Sequence, residues 1–104
     1  MSVKYKKHKF NAVPTVNDGF RFDSKKEAAR YERNKLLIAS GEMVFQLRQV
    51  PFHLPGGVRY VLDFIEFYKN YDILFIDVKG RDTPQSKQKR RQVEAVYPIK
   101  IDLV

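Results

Sequence analysis

"VLDFIEFYKNYDILFIDVKG", residues 61–80, is the stretch on which the fold turns. Two apolar runs, Val61 to Phe67 and Ile73 to Val78, flank the polar Lys69-Asn70-Tyr71-Asp72, a spacing that predicts two strands joined by a turn. Each run carries an acid where burial disfavours charge: Asp63 in the first and Asp77 in the second, with Lys79 following. Side chains alternate across a strand, so Asp77 and Lys79 project from one face near the C-terminal end of theirs. With Asn70 at the centre of the turn, Asp63 lies opposite Asp77 and both carboxylates meet on one face. Like charges so opposed repel, and a cation between them reverses the sign. Mg²⁺ suits that place because it prefers oxygen ligands and keeps several of its waters. Lys79, one pleat further on, is placed to assist an attacking water or to neutralise a phosphate. The plainer alternative is a buried ion pair of Asp77 with Lys79, which stabilises little.

Upstream, "MVFQLRQVPFHL" (43–54) reads as a strand whose inward face changes near Arg48-Gln49, which predicts a bulge or bend there. Phe45 and Leu47 fit one parity, and Val50, Phe52 and Leu54 the other. Gln49 stands either at the site's edge or as an ordinary polar strand residue. Pro55-Gly56-Gly57 is a turn into "VRYVLDFIEFY" (58–68). Before these strands, "SKKEAARYERNKLLIASG" predicts a helix from Ser24 to about Ala39, stopped by Gly41. Its apolar side is Ala28, Ala29, Tyr31, Leu36, Leu37 and Ile38. Ser24-x-x-Glu27 is a capping box, a role for Glu27 that involves no chemistry. Asn17-Asp18-Gly19 predicts the turn of a small hairpin.

Downstream, Thr83 and Pro84 supply the cap and first residue of a second helix, to about Val96, with Val93, Val96 and Tyr97 inward. Lys87, Lys89, Arg90 and Arg91 crowd its first half, either as phosphate contacts or as a wet face. "IKIDLV" (99–104) is a terminal strand. A strand, helix, strand step normally makes a crossover, so the order predicts an α/β fold: a mixed sheet with helices on its faces. Glu66, opposite in parity to Asp63, is expected to face solvent or the other layer. His53 is a strand residue without a role.

The chain has 104 residues, a single domain, and 20 Lys and Arg against 12 Asp and Glu. The net charge of +8 favours a polyanionic partner such as nucleic acid. With no cysteine, disulfides, thiolate metal sites and Cys nucleophiles are excluded, and a reducing cytoplasmic setting fits. Two histidines are too few for a histidine-rich zinc or HNH-type nuclease centre, so any metal is a hard cation on carboxylate oxygens. Residues 1–10 read as a mobile basic arm, with Lys6 and Lys7 as candidate nucleic-acid contacts. No apolar run approaches the ~20 residues of a membrane span.

The order of helix acid, strand Asp, and (Asp/Glu)-x-Lys on the next strand, then helix and strand, resembles the PD-(D/E)XK nuclease superfamily. "GFRFDSKKEAARYE", "LDF", "DVKG" and "YPIKI" are similar to small phage and prophage proteins assigned to it, a superfamily whose core Holliday-junction resolvases share. The likeness runs from about Val16 onward. Asp23-Ser24-Lys25 also satisfies the three-letter pattern, but at the start of a helix; the strand context selects Asp77. Leu62 stands where the superfamily's name has proline.

The resemblance implies a restriction-endonuclease-like core and a Mg²⁺-dependent endonuclease, with Mn²⁺ able to substitute. Glu27, Asp63 and Asp77 would hold the metal, with Lys79 beside the attacking water. DNA, branched or duplex, is the implied substrate. Paired cuts at a junction imply a homodimer. The alternatives are a non-catalytic DNA-binding or adaptor protein on the same fold, and a small basic RNA-binding protein with no metal site.

Overall fold

Asp18 and Gly19, both with positive φ (51° and 78°), make the two-residue turn of a hairpin between β1 (Thr15–Asn17) and β2 (Phe20–Phe22). That is the conformation an Asp-Gly pair favours. The computed structural model describes residues 15–104, so the basic arm with Lys6 and Lys7 lies outside the described residues.

Helix α1 (Lys25–Ser40) starts where the Ser24 hydroxyl accepts the Glu27 N–H at 3.1 Å. It ends at Gly41, with φ of 85°, whose N–H and that of Glu42 satisfy the carbonyls of Ile38 and Leu37. Strands β3 (Met43–Leu54) and β4 (Val58–Tyr68) form a long antiparallel ribbon, β5 (Ile73–Asp77) pairs antiparallel with β4, and β6 (Ile101–Leu103) pairs parallel with β5. Helix α2 (Pro84–Val96) makes the crossover, its N-terminus capped by Thr83. The four-stranded sheet, in order β3-β4-β5-β6, is mixed as expected. No described helix is long and apolar enough to cross a membrane.

Two apolar clusters occupy the two faces of this sheet. Phe64 and Ile76 pack with Phe22 and Ala28 on the α1 side; Ile65, Leu62, Tyr60 and Ile101 pack with Val93 on the α2 side. Leu62 and Phe64 would share a face in a regular strand, yet they join different clusters, so the alternation of β4 breaks at Asp63. Across from it, Gln49 sits in the left-handed region at φ 52°, between the pairs Arg48 with Phe64 and Val50 with Leu62. The expected bend near Gln49 is therefore present, and it is made by one left-handed residue with the register unchanged on either side. A register shift lies earlier, between Met43 and Phe45. Beyond the bend, Val50, Phe52 and Leu54 turn onto the α2 cluster.

Three inward faces differ from expectation. Helix α1 buries Glu27, Ala28 and Asn34 while Leu36 is 73% exposed. Val96 of α2 is also largely exposed, whereas Val93 is fully buried. Glu66 faces the α1 layer with no exposure to solvent. The departures at α1 and Glu66 share a cause. Glu66 holds Arg30 through two bonds of 2.8 Å, accepts from Asn34 at 2.7 Å and from the Tyr68 hydroxyl at 2.8 Å, and thus turns a polar side of α1 inward. Burial pushes its carboxyl upward, but Arg30, Asn34 and Tyr68 together hold it below the ordinary range.

Candidate functional site

The observed β4 to β5 register pairs Phe64 with Ile76 and runs without shift to Phe67 and Ile73, so its continuation puts Asp63 opposite Asp77. Past Ile76 the two strands part. In place of a ladder bond, the Asp63 Oδ2 accepts the Val78 N–H at 2.8 Å. Asp77 and Glu27 both act electrostatically on the Asp63 carboxyl, and Gln49 bridges Asp63 to Glu27 in the first turn of α1. The three acids named by the sequence thus converge where the ribbon leaves the sheet.

Around them stand the polar groups that tune the cluster. Lys79 Nζ is 3.3 Å from Asp77 Oδ2, and the Tyr60 hydroxyl donates a very short hydrogen bond to the same oxygen. Gln49 Nε2 lies 3.4 Å from both Glu27 Oε1 and Asp63 Oδ1. Arg48 reaches Glu27 Oε1 at 3.5 Å. Lys26 donates to the Lys79 carbonyl at 2.9 Å, tying α1 to the segment after β5. Lys79 and Val104 extend the parallel pairing, since Lys79 N–H bonds the Val104 carbonyl and Val104 N–H the Asp77 carbonyl, each at 3.1 Å.

Electrostatics mark the acids as frustrated. Burial, then the neighbouring Asp77 and Glu27, push the Asp63 carboxyl up to about 8, against the stabilising Val78 N–H. Burial and the charge of Asp23 raise Glu27 as well, with Arg48 opposing. Burial and Asp77 raise the Tyr60 hydroxyl, which keeps it a donor. A group that crowds carboxylates this way gains from a proton or a cation, and perturbed acids of this kind concentrate at functional sites.

The donor chemistry suits a hard cation: Asp63 and Asp77 offer carboxylate oxygens, and Mg²⁺ is commonly held by one or two carboxylates while retaining waters. Among the described residues no three His, Cys, Asp or Glu side chains make a metal-holding group by themselves. Glu27 is engaged by Arg48 and Gln49, Asp63 by Gln49 and the Val78 N–H, and Asp77 by Tyr60 and Lys79.

On α2, Lys87, Lys89 and Arg91 are exposed, while Arg90 forms a paired contact with Asp82 at 2.7 and 2.8 Å. Arg90 still interacts electrostatically with Tyr60 and Asp77. Sequence reasoning passed over Tyr60, Arg48 and the Glu66 network. For Tyr60 no signal exists, since a tyrosine at a β-strand position reads as core. For Glu66 the signal was an acid inside an apolar strand, the same one that singled out Asp63. The His53 carbonyl accepts from the Tyr97 hydroxyl at 2.8 Å.

A family model described as "Protein of unknown function (DUF1064)" matches residues 7–103. No curated protein and no solved structure matches the chain.

Proposed function

The chain belongs to this family of unknown function, and we propose from the geometry of its acids that it is a metal-dependent endonuclease on a restriction-endonuclease-like core, cutting DNA phosphodiester bonds. One observation carries this: Asp63 and Asp77 from adjacent strands meet at the point where the strands part, with Lys79 3.3 Å from Asp77. Asp63 and Asp77 would hold Mg²⁺, or Mn²⁺ in its place, with Glu27 beside them. A bound divalent cation supplies charge neutralisation at the phosphate and makes water more acidic. The Lys79 ammonium offers donors to the attacking water or to a phosphate oxygen. Tyr60 holds one Asp77 oxygen and fixes that carboxylate's orientation. Lys87, Lys89 and Arg91, exposed on α2, are suited to the flanking phosphates.

Labelled four-way junction, duplex and single-strand DNA, each with Mg²⁺ or EDTA, test the reading. Cutting is expected with Mg²⁺ only, to be abolished by Asp77→Asn and reduced about a hundredfold or more by Lys79→Ala. Salt-sensitive binding without cutting under any metal would instead make this a DNA-binding or adaptor protein, a reading favoured by the lack of a ready three-acid group among the described residues.

A branched substrate and paired cuts call for a homodimer. The uncharged side chains of Phe45, Leu47 and Ile73, each between 43% and 49% exposed, offer a surface for it, with Phe45 stacked on Phe67 at 4.3 Å. Sedimentation of Phe45→Lys against the unaltered protein checks this: a dimer that becomes a monomer supports it, and a strict monomer with DNA present refutes it.

A further inference from the structure

The cleavage chemistry leaves unused a groove on the other side of Arg48. Phe20 of β2, Tyr31 and Lys35 of α1, and Gln46, Leu47 and Arg48 of β3 line it, around a volume of about 490 Å³. That size is within the range of small-molecule sites. Its lining combines an open aromatic face, two cations and an amide. Phe20 is 46% exposed and stands edge-on to Tyr31 with ring centroids 5.8 Å apart. The Arg48 guanidinium lies 4.9 Å from the Phe20 ring and 4.1 Å from that of Phe22. Asp18 clamps this wall to α1, taking Lys35 at 2.5 Å and the Tyr31 hydroxyl at 3.1 Å, so the aromatic face is held in place without a ligand.

Two further facts connect the groove to the acids. Arg48 belongs to both: it lines the groove and reaches Glu27 at 3.5 Å. Its Nε is also the one buried side-chain polar atom without a partner among the described residues, a donor still short of an acceptor. The next residue, Gln49, touches Asp63. Arg48 and Gln49 thus link one end of the groove to the acids.

We propose that this groove receives an unpaired nucleobase, stacked on Phe20 and hydrogen-bonded by Arg48 and Gln46, from a nucleotide flanking the phosphate at the acids. The inference rests on the nuclease reading and narrows its substrate to DNA with unpaired nucleotides at the cut, such as a bulge, flap or junction. A paired base must first leave its stack, at a cost of a few kcal/mol, whereas an unpaired one enters freely. Stacking on an aromatic ring tolerates any base, so the site selects structure over sequence.

The test uses the full chain with Ca²⁺ replacing Mg²⁺, and two DNAs that carry 2-aminopurine either as a bulged nucleotide or within continuous duplex. Bulged DNA is expected to bind about tenfold tighter, with its fluorescence quenched on binding, in line with the worth of one stacked base. Phe20→Ala should remove both the preference and the quench while leaving the salt dependence of binding unchanged, since a stacked ring neutralises no phosphate. Phe20→Tyr should keep all three. If Phe20→Ala fails to fold by circular dichroism, Phe20→Leu, which keeps the apolar bulk but removes the ring, should also abolish the preference and the quench. Equal affinity for the two DNAs, or a preference that survives these variants, overturns the inference and leaves the cleavage panel's result standing. Failure to bind DNA of any form overturns this proposal and the nuclease reading together.

Discussion

Asp77 has two partners on one oxygen, and they set what a single substitution does. The Tyr60 hydroxyl and the Lys79 ammonium both approach Oδ2, so Tyr60→Phe leaves the carboxylate in place but free to rotate. Orienting partners of this kind are typically worth ten- to a hundredfold in metal affinity or activity. Tyr60→Phe should therefore shift the Mg²⁺ concentration for half-maximal cutting upward about tenfold, with thermal stability nearly kept. An unchanged Mg²⁺ titration would remove Tyr60 from the site. Asp63 makes a second prediction, in the absence of metal. Its carboxyl is pushed up to about 8 in the folded chain, so between the ordinary carboxylate range and pH 8 the folded state binds more protons than the unfolded state. Stability must fall as pH rises through that window, and Glu27, also raised, adds in the same direction. Glu66, Asp18 and Asp82 are lowered, and their contribution is lost only as pH falls below the ordinary range. In EDTA the melting temperature should drop by several degrees from pH 5 to pH 8. Asp63→Asn should flatten that slope, and an unaltered slope would show that Asp63 does not carry it.

The β3 to β4 ribbon is the element that opens the site, and Gln49 is where it bends. A non-glycine residue in the left-handed region costs of order 1 kcal/mol or more, and such strain gathers at functional sites. Gln49→Gly should relieve that cost and hold or raise the melting temperature by a few degrees, while cleavage falls because the amide facing Glu27 and Asp63 is gone. Equal loss of stability and activity would mean that the bend is merely structural. At this scale most of the molecule was legible in the sequence. Caps at Ser24 and Thr83, the Asp-Gly turn and the Gly41 stop are local chemistry, and each stands where short-range rules put it. The faces were less legible. Leu36 is exposed because Glu66, far away in the chain, draws Arg30 and Asn34 inward, a preference that helical periodicity does not contain.

For the molecule as a whole, the net charge of +8 makes affinity for a polyanion depend on salt. In Ca²⁺, Lys87→Ala and Lys89→Ala should each reduce the slope of log affinity against log salt by about one, if each lysine meets one phosphate. Arg90→Ala should mainly cost stability, because its guanidinium is already engaged by Asp82. Lysine variants that weaken binding with no change of slope would place DNA elsewhere than on α2.

The register that aims Asp63 at Asp77 follows from the sequence alone, because a symmetric turn about Asn70 sets which residues of β4 and β5 oppose. The succession of helices and strands and the mixed sheet follow from it too, being consequences of local capping and alternation. Only the tertiary structure brought Glu27 beside Asp63, put Tyr60 on Asp77, and raised the Arg48 groove next to the acids. Those contacts join residues from separate elements, and their positions depend on how the ribbon twists and how α1 is anchored by Glu66. Packing decides such matters after the chain has closed on itself, so no short window of residues records them.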